Sequence, residues 1–198
     1  MTSANRWLLT WLLPLALTML LGVAAQAQQP KVEMHRSGVD SKDPSGWHLA
    51  VSTKGSFSIR MPIPFNDFSI RSGDPKAREG AGEEVTHVIG GKSSEGIKVS
   101  AVEIPVPTKG APSLDKMLAD FSAKPGNKVA DVQRASKGDL DTLSFSVGGA
   151  QTSAYIRYVR TKSATYSLVI EFPNAHRDDV AAIRDEFFDS FKTNSPGR

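Results

Sequence analysis

Four histidines are the first side chains to test for chemistry, because imidazole is the commonest metal ligand and titrates near neutral pH. His35, His48, His87 and His176 stand far apart in the chain, and the absence of cysteine leaves none of them a thiolate at ligand spacing. A zinc site from His48, His87 and a carboxylate would have to be assembled by the fold. The residues themselves read as single histidines at strand, loop and helix-start positions. Serines are abundant, yet no Gly-x-Ser-x-Gly elbow occurs, and no base stands at a recognisable position for a Ser-His-Asp triad. Gly90-Gly91-Lys92-Ser93 ends like a phosphate loop, but Thr86 occupies the place of the required first glycine and a strand pattern follows instead of a helix. It reads as a hairpin loop. Asp139 and Asp141 flank a turn, while Asp178 and Asp179 open a helix, so neither pair carries a glycosidase or calcium reading. Tyr155, Arg157, Tyr158 and Arg160 interleave aromatics with cations that suit an acidic or sugar-like partner. Strand alternation puts the first two on one face and the last two on the other, which makes them packing residues. No catalytic, cofactor-binding or metal-binding residue is assigned, and no cofactor is expected.

The elements that would position such groups are clearest near the C-terminus. Leu143 to Val147, Ser153 to Arg160 and Thr165 to Phe172 alternate large apolar and polar residues at the period of a strand. Gly148-Gly149 and the link Thr161 to Ala164 are too short for a crossover, so the three form an antiparallel meander. After Pro173 the period becomes helical, with Val180, Ile183, Phe187 and Phe191 on one stripe. Asn174 is the expected N-cap of a helix from about His176 to Phe191. Large residues on both faces of Ser153 to Arg160, Ile156 and Tyr158 against Tyr155 and Val159, predict a sheet covered on both sides.

Earlier in the chain, Trp47, Leu49 and Val51 alternate, Lys54-Gly55 turns, and Phe57, Ile59 and Met61 alternate again, which predicts a hairpin. Phe68 to Arg71 reads as a short strand and Ser72 to Gly82 as an exposed loop. Val85 to Ile89 and Ile97 to Val106 form the next pair, linked by Gly90 to Gly96. Ser113 caps a short helix carrying Leu114, Leu118 and Phe121 on one face, and Pro125-Gly126 ends it. Val129 to Arg134 reads as a further strand. The fold class is α+β, an antiparallel sheet of about six or more strands flanked by helices.

Met1 to Ala27 has the three parts of a secretory signal: Arg6, an apolar run from Trp7 to Leu21, and the small-residue end Ala25-Gln26-Ala27. Cleavage after Ala27 would leave Gln28 as the first residue of a periplasmic or secreted protein. An uncleaved anchor is the alternative, although Thr10, Pro14 and Thr18 interrupt a run shorter than the ~20 residues that span a bilayer. Residues 28–46 are polar and read as a flexible leader, 47–192 as one domain, and 193–198 as a disordered tail. A mature chain of about 170 residues buries roughly 70% of its unfolded surface in one core without disulfides. Losing Arg6 lowers the net charge from +3 to +2 with both signs interspersed, which excludes nucleic-acid electrostatics.

The stretch Gly55-Ser56-Phe57-Ser58-Ile59-Arg60-Met61-Pro62, the helix start Ser113-Leu114-Asp115, the strands Tyr155-Ile156-Arg157-Tyr158 and Tyr166-Ser167-Leu168-Val169-Ile170, and the closing Phe187-Phe188-Asp189-Ser190-Phe191 resemble the PsbP/Mog-type sandwich and its bacterial exported relatives. The resemblance covers Trp47 to Lys192 and rests on hydrophobic patterns. It implies an α/β/α sandwich and an accessory, binding or assembly role without catalysis. It supplies no site residue. The expected function is that of a non-enzymatic exported protein with a protein or small-molecule partner in the cell envelope. The alternative, a periplasmic hydrolase or metal-dependent enzyme, requires a deep pocket holding at least two of His48, His87 and His176 beside carboxylates.

Overall fold

The computed structural model describes residues 30–37, 42–72, 84–105 and 112–194. The expected signal segment, residues 73–82 of the expected exposed loop, and residues 195–198 of the expected tail lie outside the described residues. Strands β1 (Lys31–Ser37), β4 (Asn66–Ser72), β5 (Glu84–Lys92), β6 (Lys98–Pro105), β7 (Lys128–Lys137), β8 (Leu140–Gly148), β9 (Thr152–Arg160) and β10 (Ala164–Pro173) form one sheet in the order β1-β4-β5-β6-β10-β9-β8-β7. β2 (His48–Val51), β3 (Phe57–Met61) and β11 (Lys192–Thr193) form a second sheet in the order β11-β3-β2. Every pairing is antiparallel. Helix α1 (Leu114–Ser122) precedes β7, and a 3-10 turn (Asn174–His176) leads into helix α2 (Arg177–Asp189).

The central strand is β10, paired along its length by β6 and β9, and its side chains are buried on both faces. Leu168, Ile170 and Phe172 point to one side, where Phe57, Ile59 and Met61 of β3 and Val180, Phe187 and Phe188 of α2 close over them. Val169 points to the other side and joins Phe145, Ile156 and Tyr158 beneath Met117 and Phe121 of α1. Each large side chain fully withdrawn from water contributes roughly 1.5–3 kcal/mol, so these two layers hold the sandwich. Ser113 caps α1 as its sequence predicts, accepting a hydrogen bond from the Lys116 amide at 3.1 Å.

Several expectations need correction. Lys31–Ser37, read as leader, is an edge strand paired with β4. The alternation of Val32 and Met34 with Glu33 and His35 is its sequence signal. Lys192–Thr193 pair with β3, and the Asn194 amide donates to Ser56 O at 2.8 Å, so the assigned tail begins inside the fold. Gly90, Gly91 and Lys92 are strand residues opposite Ser100, Val99 and Lys98, and the turn lies at Ser93–Ile97. Asn174 is not the cap of α2. That place falls to His176, whose side chain does not cap, while the Asn174 amide group donates to Gly149 O and Ala150 O and its Oδ1 accepts from Ser153.

The first hairpin is also reversed in phase. Phe57, Ile59 and Met61 face the core, and directly opposed residues of an antiparallel pair share a face. His48 and Ala50, partners of Met61 and Ile59, are therefore inward, and Leu49 and Val51 are turned to solvent. Both outermost strands of the large sheet break register, β1 between Met34 and Arg36 and β7 between Ala130 and Gln133.

Candidate functional site

Leu49 and Val51 stand 59% and 45% exposed on the solvent face of the small sheet. They form the floor of a groove of about 520 Å³ that also takes in Arg60 of β3, Glu186 and Asp189 of α2, and Lys192 of β11. Most of its charges are fixed from within. The Arg60 guanidinium donates to both Asp43 and Glu186 and lies 5.4 Å over the Trp47 ring. Hydrogen bonds from Ser45 Oγ, from Arg60 and from the Trp47 and Ser45 amides hold the Asp43 carboxyl far below its ordinary range. Asp189 pairs with Arg157 at 2.7 Å, and the Arg157 guanidinium packs 4.7 Å over Phe188. Lys192 has no acidic partner among the described residues. The groove therefore offers an apolar floor, a rim of pre-paired charges and one uncompensated ammonium.

A second assembly runs across the large sheet beneath the β2–β3 turn. Glu33, Ser69, His87, Glu103 and Tyr166 are successive cross-strand partners on β1, β4, β5, β6 and β10. Ser69 Oγ is shared between His35 Nε2 at 2.7 Å and His87 Nδ1 at 2.9 Å. The turn above carries backbone amides that burial would otherwise orphan. Asp67 Oδ2 accepts from the Thr53 amide and hydroxyl at 2.7 and 2.6 Å, and Glu103 Oε2 accepts from the Ser56 amide at 2.8 Å. Tyr166 completes the row by donating to Glu103 Oε1 at 3.2 Å, and burial together with that carboxylate raises its phenol well above the ordinary value. Burial lowers the His87 imidazole, against the pull of Glu103. The order serine, histidine, carboxylate has the look of a triad, but Ser69 is only 2% exposed and its oxygen is held by two rings. Its chemistry is that of a closed hydrogen-bond relay.

The remaining histidines do not join this row. His48 is 1% exposed and meets Phe65 edge-on, with neither ring nitrogen hydrogen-bonded, and His176 faces Asp179 at 3.3 Å. His48, His87 and His176 thus occupy three separate settings. Among the described residues no group of three or more histidine, aspartate or glutamate side chains is arranged to hold a metal ion. The interleaved set on β9 splits as its alternation predicts. Tyr155 stacks on Phe172, Tyr158 lies in the α1 layer with its phenol pushed up to about 12 by burial, and Arg160 donates to Pro112 O at the start of α1. Asp139 pairs with Lys162, and Asp141 accepts from Ser136. A smaller cleft of about 350 Å³ lies beside Lys128, Gly148, Gly149 and Arg177.

The sequence did not single out the groove or the relay, since both depend on strand register. The visible hint for the relay was the apolar-polar alternation of Val32 and Met34 with Glu33 and His35, and the groove has no comparable signal in the sequence. No helix among the described residues is long and apolar enough to cross a membrane. No family model matches the chain, and no curated protein matches it in sequence. Among solved structures, the chain is similar to the mycobacterial protein LpqN, involved in cell envelope biogenesis of Mycobacterium tuberculosis, at 10% identity and a TM-score of 0.36 over 87% of each chain. It is likewise similar to cyanobacterial PsbP (CyanoP) from Synechocystis, at 10% identity and a TM-score of 0.42 over 87% of this chain and 98% of that one.

Proposed function

We propose that the chain is an exported accessory protein that docks a protein partner of the cell envelope in the groove above Leu49 and Val51, without catalysing a reaction. The observation that carries this reading is the exposure of two aliphatic side chains on a groove floor whose neighbouring charges are already clamped. Apolar contact at the centre and fixed polar groups at the rim are the makings of an interface, and pre-paired charges need little reordering on binding. Lys192 supplies the complement for a partner carboxylate, so the partner presents aliphatic side chains flanked by an acidic group. Arg6, the apolar run from Trp7 to Leu21 and the Ala25-Gln26-Ala27 end support export.

The test places a photo-crosslinking residue at position 49 of the full chain in its native cell, with position 137 of β7 as an exposed control. A discrete adduct at 49 that disappears with Val51→Asp and weakens about tenfold with Lys192→Glu supports the reading, that being the effect of one interfacial charge pair worth about 1.4 kcal/mol. Adducts of the same mass from both positions, or none from 49, would sink it. Sequencing the exported protein from Gln28 supports the export half, and recovery of the chain only in the cytoplasm with Met1 intact overturns it.

A further inference from the structure

His35 and His87 are the titratable pair, joined through the buried Ser69, that the docking reading leaves unused. Strand β1 is bonded to the sheet along one side only, and its ladder to β4 is interrupted between Met34 and Arg36, where His35 is the additional residue. The His35 side chain, 7% exposed, fills that interruption and reaches Ser69. A serine hydroxyl has one proton, so between two neutral imidazoles it donates to one ring and accepts from the other. Protonating both rings turns both nitrogens into donors and places two like charges across a single oxygen of a serine that is itself only 2% exposed.

We propose that the His35–Ser69–His87 relay is a latch that holds β1 on the sheet at neutral pH and releases it on acidification. The charged groups facing the pair come from every element around it. Glu33 of β1 lies 3.9 Å from His35 Nδ1 but is half-exposed, Asp67 and Arg71 come from β4, and Glu103 comes from β6. The turn above contributes Thr53 and Ser56, which carry no charge and bind Asp67 and Glu103. Glu103 and Asp67 favour a charged His87, His35 and Arg71 oppose it, and burial prevails. A base held below its ordinary 6.5 stabilises the fold above that value, and this contribution is lost progressively as pH falls below 6.5 towards the lowered folded value. Release also has a mechanical consequence. Arg36 of β1 donates to Val51 O at 2.9 Å and lies 5.2 Å over Phe65, so lifting β1 removes one of the ties between the large sheet and the β2–β3 hairpin.

Hydrogen exchange on the full chain decides the matter, with protection of residues 31–37 compared with residues 164–172 of β10 at pH 7.5 and pH 5.5, each corrected for the intrinsic rate. The expected result is a selective loss of about tenfold in β1 protection at pH 5.5, because an imidazole released to its ordinary 6.5 is about ten-to-one protonated at that pH. The double variant His35→Gln/His87→Gln keeps a hydrogen-bonding group on each side of Ser69 and should show no such pH dependence. A wild-type ratio unchanged across the range, or the same loss in the glutamine variant, overturns the proposal. If the variant fails to fold, the wild-type imidazole resonances serve in its place. A His87 transition coinciding with the opening of β1 supports the latch, and β1 opening while His87 stays neutral overturns it.

Discussion

Gly91 passes directly against the carbonyl of Pro64, so close that a methyl group on its α-carbon would overlap the oxygen. Its neighbour Gly90 is different, since a methyl there would meet Ser100 Cβ and Val99 O at an ordinary 3.5 Å. The pair that looked like a phosphate loop is thus a crossing point between β5 and the segment leading into β4. Gly91→Ala should lower unfolding free energy by about 1–3 kcal/mol through overpacking. Gly90→Ala should be neutral or stabilising by up to about 1 kcal/mol, because it narrows the unfolded ensemble. Urea melts of the two variants check this, and equal losses would remove the distinction.

Asp131 sits in the β7 register break with φ 55, a conformation that costs most side chains, and its carboxylate accepts from Ser146 Oγ at 2.8 Å. Asparagine tolerates that backbone and keeps an acceptor. Asp131→Asn should therefore stay within about 0.5 kcal/mol of the native protein, while Asp131→Ala loses roughly 1–2 kcal/mol. Thermal melts that rank alanine level with asparagine would show that the break is held by something else.

The Asp43–Arg60 pair joins the segment before β2 to β3 and, through Glu186, to α2. A carboxyl held below its ordinary 3.8 stabilises the native state above that pH, and the contribution fades as pH falls further. Wild-type protein should lose more stability than Asp43→Asn between pH 5 and pH 3. Urea midpoints at the two pH values measure it, and parallel declines would place the acid sensitivity in other carboxylates.

The meander β8-β9-β10 and helix α2 are legible in the sequence because alternation and helical periodicity are local, and Leu168, Ile170 and Phe172 announce them within a few residues. The two-sided cover is legible as well, from Ile156 and Tyr158 opposing Tyr155 and Val159. What escapes is register. Leu49 looks like a core residue until Ala50 is known to face Ile59, and nothing in the short strand Phe68 to Arg71 announces that Ser69 will meet His35 and His87 from 34 and 18 residues away. A one-residue slip reverses every side chain of a strand, and no local pattern reports which partner a strand will meet. Asn174 shows the same limit in a turn. Its side-chain oxygen suits a helix start, yet Ser153 Oγ donates to that oxygen first, while the side-chain nitrogen donates to the Gly149 and Ala150 carbonyls.

An open sheet of eight strands offers a free backbone at each end, and a neighbouring molecule with a straight strand could extend it indefinitely. Here the outermost strand at either end kinks in mid-length, so an added strand would leave some of its own amides unmatched. Crowded copies of this chain are thereby steered away from fibre growth through the ends of the sheet.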